Sequence, residues 1–177
     1  MACLLKGGGG LYNRLSLGAV VLAAGQGSRL GNRPKSLIEL AGIPLIRRQL
    51  VALSGAGVDQ LVVVLGHYAS QIRPFIEDFP ITVVDLSDYP EASQKLSVQQ
   101  GVSALQGKFD AVLVVPSDMP LLGTADYTDL IGAYKKRPEG ARMVRPMVSE
   151  APGNPVIFDS AITEEFESSV EPLCRHW

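Results

Sequence analysis

Cysteine is scarce. Cys3 and Cys174 are the only two in 177 residues, they stand near opposite ends, and neither belongs to a CxxC or Cys/His ligand spacing. That leaves no zinc-ligand pattern and points to a reducing, cytoplasmic compartment. A basic excess is also missing: 16 Lys and Arg face 18 Asp and Glu, for a net charge of -2. Nucleic acid and acidic membrane surfaces demand clustered positive charge, so neither is an expected partner, and any anion is bound locally. No apolar run approaches the roughly 18 residues that a bilayer span requires. The opening MACLLKGGGGLYNRLSLG lacks the charged start and long apolar core of a signal peptide. Gly7 to Gly10 read as a flexible lead-in, which puts residues 1–16 in a tail and 17–177 in one domain. A content of 46% hydrophobic and 19% charged residues is that of an ordinary globular chain, long enough to bury a core without disulfides or metal.

What is present is alternation. Short β-branched runs, AVVLAA (19–24), LVVVLG (61–66), ITVVDL (81–86), AVLVVP (111–116) and PVIFD (155–159), with a weaker ARMVRPMV (141–148), are separated by longer amphipathic segments. Runs that are apolar throughout imply strands buried on both faces. Residues 44–57, 69–79, 92–107 and 124–138 read as helices, the second kinked or starting late at Pro74, with Thr124 as the N-cap of the fourth. The pattern predicts an α/β/α sandwich around a doubly wound, mostly parallel sheet, with ligands outside the carboxyl ends of the strands.

At the first such end stands VLAAGQGSRLGNRPKS, Val21 to Ser36. The dinucleotide spacing G-x-G-x-x-G fails, because Leu30 follows Gly25 and Gly27 where the third glycine belongs; the Walker spacing fails because Pro34 precedes Lys35. A strand ending in Ala23, Ala24 and Gly25 still runs into backbone amides able to converge on an anion, with Arg29 and Lys35 adding charge. A plain glycine turn is the alternative. Asp118, after the fourth apolar run, is open to two readings: a Mg²⁺ ligand at the sheet's carboxyl end or the cap of the turn before Met119 and Pro120.

LAAGQGSRLGNRPKSLIELAGIPLI resembles the signature of nucleotidyltransferases with a GT-A-like fold, L-A-[AG]-G-x-x-x-R-[ML]-G, then a lysine and G-x-P-[LM]-[IL]. VVPSDMPLL (114–122), GNPVIF (153–158) and LSVQQGVSAL (96–105) are similar to segments of the MobA-like molybdenum-cofactor guanylyl- and cytidylyltransferases in particular. The resemblance runs from about Gly18 to the end.

It implies transfer of CMP or GMP from CTP or GTP to a phosphorylated small molecule, molybdopterin first among them, with Mg²⁺ as cofactor. A sugar or polyol phosphate is the alternative acceptor, and a nucleotide-binding module without turnover the alternative role. Catalysis falls to Lys35, Arg29 and Asp118, with Asp118 holding the metal. Leu22, Ala23, Ala24, Gly25, Gly27, Gly66 and Ser97 are expected to contact the nucleotide, with His67 either beside it or on the surface. Gly153, Asn154 and Pro155 face the acceptor. A molybdoenzyme or its chaperone is the implied protein partner. The Ala-Ala-Gly form favours a cytidylyl over a guanylyl donor. The family's second acidic motif, D-[IV]-D-T-P-x-D, does not appear before Trp177, so the sequence is expected to supply one metal ligand of two and to lack the family's C-terminal end.

Overall fold

Strand β1 (Leu17–Ala23), LGAVVLA, is buried at every position but Leu22. The computed structural model describes residues 14–25, 33–89 and 92–163. Two short strands, β2 (Glu39–Leu40) and β3 (Ile43–Pro44), form a hairpin that delivers the chain to helix α1 (Leu45–Gly55). Strand β4 (Gln60–Leu65), the single turn α2 (Ala69–Ile72) and β5 (Thr82–Asp85) follow. Helix α3 (Gln94–Ser103), β6 (Ala111–Pro116) and helix α4 (Thr124–Lys135) complete the parallel part. The remainder is β-structure: β7 (Met143–Val144), β8 (Met147–Val148), β9 (Ala151–Pro152) and β10 (Val156–Asp159).

Six strands make one sheet in the order β5-β4-β1-β6-β10-β7. The first four are parallel and β10 runs antiparallel to both neighbours, so the architecture is the mostly parallel α/β sandwich that the alternation predicts. Strand alternation splits the core. Ala19, Val21, Val63, Leu65, Leu113 and Val115 face α1 and α4, where Ile46, Leu50, Leu53, Tyr127, Ile131 and Tyr134 meet them. Val20, Val62, Val64, Val112 and Val114 face the other way, toward Val98 of α3. Helix α1 has no side-chain cap on its first turn. A missing cap costs about 1 kcal/mol, whereas burying each of Leu45, Ile46, Leu50 and Leu53 returns about 1.5–3 kcal/mol. Packing, not capping, therefore holds that helix.

Three local expectations need correction. The second helix is not continuous over 69–79: Pro74 has no amide to donate, and the chain tightens after Ile72 into a 3-10 turn, Arg73–Phe75. Thr124 is the first helical residue rather than the cap. Gly123 holds the cap position, and its amide donates to Asp126 Oδ2 at 2.8 Å, the reciprocal bond of a capping box. The weak run 141–148 divides into β7 and β8, only the first of which joins the main sheet. Residues just before β1 are already tied to the fold: Arg14 pairs with Asp59 at 2.6 Å, and the Ser16 amide donates to Asp110 at 2.8 Å. Among the described residues, no helix is long and apolar enough to cross a membrane.

Asp85, at the end of edge strand β5, accepts from the Ser87 amide at 3.0 Å and pairs with Arg73 at 2.7 Å. The bonds from Ser87, then the Arg73 guanidinium, hold its carboxyl below the usual carboxylate range. A depressed folded-state value stabilises above the unfolded value, near pH 4, and the gain disappears as pH falls through the folded one. Asp85→Asn should therefore cost about 0.5 kcal/mol at pH 7, the scale of a partly exposed pair, and nothing near pH 2. Urea melts at the two pH values check the sign. An equal cost at both would show that packing rather than charge is lost.

Candidate active site

Strands β1 and β6 are neighbours in register, with Leu22 opposite Pro116, and the Ser117 amide continues the ladder by donating to the Leu22 carbonyl at 3.0 Å. From β1 the chain leads to β4 and β5 on one side; from β6 it leads to β10 and β7 on the other. The carboxyl ends of β1 and β6 thus diverge at a topological switch point, where open α/β sheets form their ligand crevices. A cleft of about 330 Å³ opens there.

Its floor is the end of β1, Leu22 to Gly25, beside the end of β6, Pro116 to Asp118. Pro34, Lys35 and Ser36 enter from the segment before β2, and His67 from the turn after β4. Tyr89, Ala92, Gln94 and Ser97 come from the start of α3 and the loop leading into it. Pro34 sets the direction of Lys35. Its φ of -66° and ψ of 110° are extended, and its carbonyl accepts from the Leu37 amide at 3.0 Å, closing the 3-10 turn that Lys35 begins. Lys35 Nζ then lies 3.5 Å from Asp118 Oδ2, both side chains being a little over one-third exposed. An ion pair of that exposure contributes between nothing and about 1 kcal/mol, too little to be the reason for placing both charges at a strand junction. What it sets up is a compact cation for phosphate oxygens next to a hard carboxylate.

Ser97 is buried on the first turns of α3, lines the cleft and donates from Oγ to the Ser93 carbonyl at 3.2 Å. Ser93 caps the helix, accepting from the Leu96 amide at 3.1 Å. Gly66 does not line the cleft. A Cβ there would lie 2.7 Å from the Ala24 carbonyl oxygen and 2.9 Å from the Ala24 Cα, so this glycine lets the end of β4 close against the end of β1. Gly27 and Arg29 lie outside the described residues.

Gly153, Asn154 and Pro155 precede β10, whose Val156 is opposite Val114, so they sit at the same end of the sheet as Asp118, beyond the cleft lining. The Gly153 amide donates to the Pro146 carbonyl at 2.8 Å, and the Asn154–Pro155 peptide is cis. Asn154 Oδ1 is buried with no hydrogen-bond partner among the described residues.

Ser36, Tyr89, Gln94 and Ser117 line the cleft without having been singled out from the sequence. Ser36 and Ser117 are each adjacent to a charged candidate, and that adjacency was the available signal. Tyr89 and Gln94 carry none: a turn after β5, closed by the Tyr89 amide on the Leu86 carbonyl, places the first, and the start of α3 the second. Among the described residues no group of three or more His, Cys, Asp or Glu is placed to cage a metal. One carboxylate beside an open cleft is a donor set that suits Mg²⁺, which takes one or two carboxylates and completes its shell with substrate phosphates and water.

Comparison with known proteins bears on the family and the fold. The chain is 34% identical over 173 residues to the bifunctional protein GlmU of Chelativorans sp., covering 91% of this chain and 37% of that one. With the GlmU protein of Bifidobacterium adolescentis it shares 31% identity over 141 residues, 76% of this chain and 30% of the relative, so it spans about a third of the length of these curated relatives. Among solved structures, Rv0371c of Mycobacterium tuberculosis superimposes with a TM-score of 0.74 at 23% identity, covering 88% of this chain and 77% of that one. A nucleotidyl transferase from Methanothermobacter does so with a TM-score of 0.68 at 26% identity, covering 85% and 74%. The model of the MobA-like NTP transferase domain matches residues 19–172, from the first strand past the last, and to that family the chain belongs.

Proposed function

We propose that this chain moves a nucleotidyl group from a nucleoside triphosphate, CTP or GTP, to a phosphorylated small-molecule acceptor of the molybdopterin class, in the cytoplasm and with Mg²⁺. The observation that carries the reading is the 3.5 Å approach of Lys35 and Asp118 across the junction of β1 and β6. A phosphate oxygen of the acceptor attacks the α-phosphorus, a new P–O bond forms, and the bond to the β-phosphate oxygen breaks as pyrophosphate leaves with the electron pair. The difficulty is the meeting of two polyanions, so the protein's contribution is positioning and charge.

The Gly25 amide and its neighbours orient the triphosphate, and Lys35 follows charge developing at the α-phosphate. Arg29, four residues after Gly25 in the sequence, is assigned the leaving phosphates, for which its planar donor fork is suited. Asp118 is the residue to hold Mg²⁺, which when bound neutralises phosphate charge. Leu22 to Ala24 and Ser97 take the base and ribose. Gly153 to Pro155, beside β6, are assigned the acceptor side.

The test is release of pyrophosphate from CTP and from GTP, with and without Mg²⁺, across a set of phosphorylated acceptors. Metal-dependent release only when an acceptor is present is expected. Tight nucleotide binding by calorimetry without release under any acceptor would instead make the chain a nucleotide-binding module. A sugar or polyol phosphate is the second acceptor reading, and the identity with GlmU proteins favours it.

A further inference from the structure

Helices α1 and α4 bury an apolar contact that contains a polar pair. Gln49 stands in the buried stripe of α1, between Ile46 and Leu50 on one side and Leu53 on the other, and is fully inaccessible to solvent. Tyr127 of α4 is equally inaccessible. The Tyr127 hydroxyl donates to Gln49 Oε1, and Gln49 Nε2 donates to the backbone carbonyl of Met119 at 2.5 Å. A buried amide and hydroxyl cost free energy unless they are paired, and two aliphatic side chains would join the helices without that demand. The pairing therefore calls for an explanation outside the helix contact, and its end point supplies one.

Met119 immediately follows Asp118. Strand β6 ends at Pro116 and the loop that leaves it contains Pro120, neither of which has an amide to donate. Its start is fixed by the Ser117 amide on the Leu22 carbonyl at 3.0 Å. Its Met119 carbonyl is fixed by Gln49. The Asp118 backbone is thus held by one bond on each side, the first from the sheet and the second from a chain that reaches through the core. Burial pushes the Tyr127 phenol well above its usual value, with Asp126 adding to the effect, so the hydroxyl keeps its proton as donor across the working pH range.

We propose that Gln49 and Tyr127 are positioning residues that hold the Asp118 loop in its metal-binding arrangement through the Met119 carbonyl. This rests on the reading of Asp118 as the carboxylate that holds the cation. Partners one bond removed from a metal ligand commonly contribute 10- to 100-fold to metal affinity by fixing the ligand's orientation.

The experiment is Mn²⁺ binding, followed by the loss of the free-ion paramagnetic resonance signal, to the full chain in the presence of CTP and of GTP. Wild type is compared with Tyr127→Phe, which removes a single oxygen, with Gln49→Met, which keeps the length of the side chain, and with Asp118→Ala. Metal-free nucleotide affinity and thermal melts accompany each. The expected result is Mn²⁺ binding weakened about 10-fold in both positioning variants, with metal-free nucleotide affinity within about twofold of wild type. Mn²⁺ binding unchanged in both folded positioning variants, while Asp118→Ala abolishes it, would overturn the positioning role and leave the metal reading intact. Unchanged Mn²⁺ binding in Asp118→Ala would overturn the metal reading itself, and this proposal with it.

Discussion

Lys35→Ala should lower the rate of pyrophosphate release by about 10²–10³-fold, the effect of removing one preorganised group that stabilises charge in the transition state. Lys35 begins a turn set by Pro34 and faces the cleft beside Asp118, so its ammonium is in place before substrate arrives. Its loss leaves the fold intact, because a partly exposed pair contributes at most about 1 kcal/mol. Asp118→Ala should cause a loss of similar size, and raising Mg²⁺ should not restore it. The proposed roles put both charges at one reacting centre, so the double variant should fall well short of the product of the single effects. Lys136→Ala, at the exposed end of α4, is the control that removes an equal charge away from the cleft and should leave the rate unchanged. Stopped assays with radiolabelled CTP and GTP give the rates, and circular dichroism confirms folding. Wild-type rates in both folded variants would dismiss the assigned roles.

The same pair shows how far the sequence could be read. Lys35 and Asp118 were each identifiable from a strand end and a nearby charge, because a parallel sheet sends all its carboxyl ends to one edge. Their juxtaposition was not, since it depends on β1 and β6 being neighbours although β4 and β5 lie between them in the chain. Strands buried on both faces announced themselves as unbroken apolar runs, and β6 begins and ends where AVLVVP does. Short strands such as β2, β3, β8 and β9 have two residues each and no period to detect. Strand direction is equally silent: PVIFD reads the same whether β10 runs with β6 or against it. Gln49 left a signal in principle, a polar residue within the apolar stripe of PLIRRQLVAL, but only the position of Met119 gives that signal a meaning.

Gly101→Ala should be among the most destabilising single-methyl changes in the chain. Helix α3 packs on the face of β1 and β4 lined by Val20 and Val64, and Gly101 is the point of closest approach. A Cβ built there would lie 2.3 Å from Val20 Cγ1 and 2.8 Å from Val64 Cγ2, well inside van der Waals contact. Both neighbours are β-branched and held in central strands, so neither can swing away, and the helix must move instead. Overpacking of this kind costs about 1–3 kcal/mol, against a gain of about 1 kcal/mol from replacing glycine by alanine in a helix; tertiary contact outweighs propensity. The net cost is at most about 2 kcal/mol, which for a domain of this size lowers the melting temperature by at most about 4–8 °C. Because α3 also carries Gln94 and Ser97 into the cleft, the displaced helix should weaken nucleotide binding as well. Val20→Ala opens the space that the new methyl needs, so the double variant should be more stable than the sum of the two single losses predicts. Thermal melts and nucleotide titrations on the four proteins of this cycle decide it: additive losses would mean that the helix, and not the Val20 contact, sets the cost at Gly101.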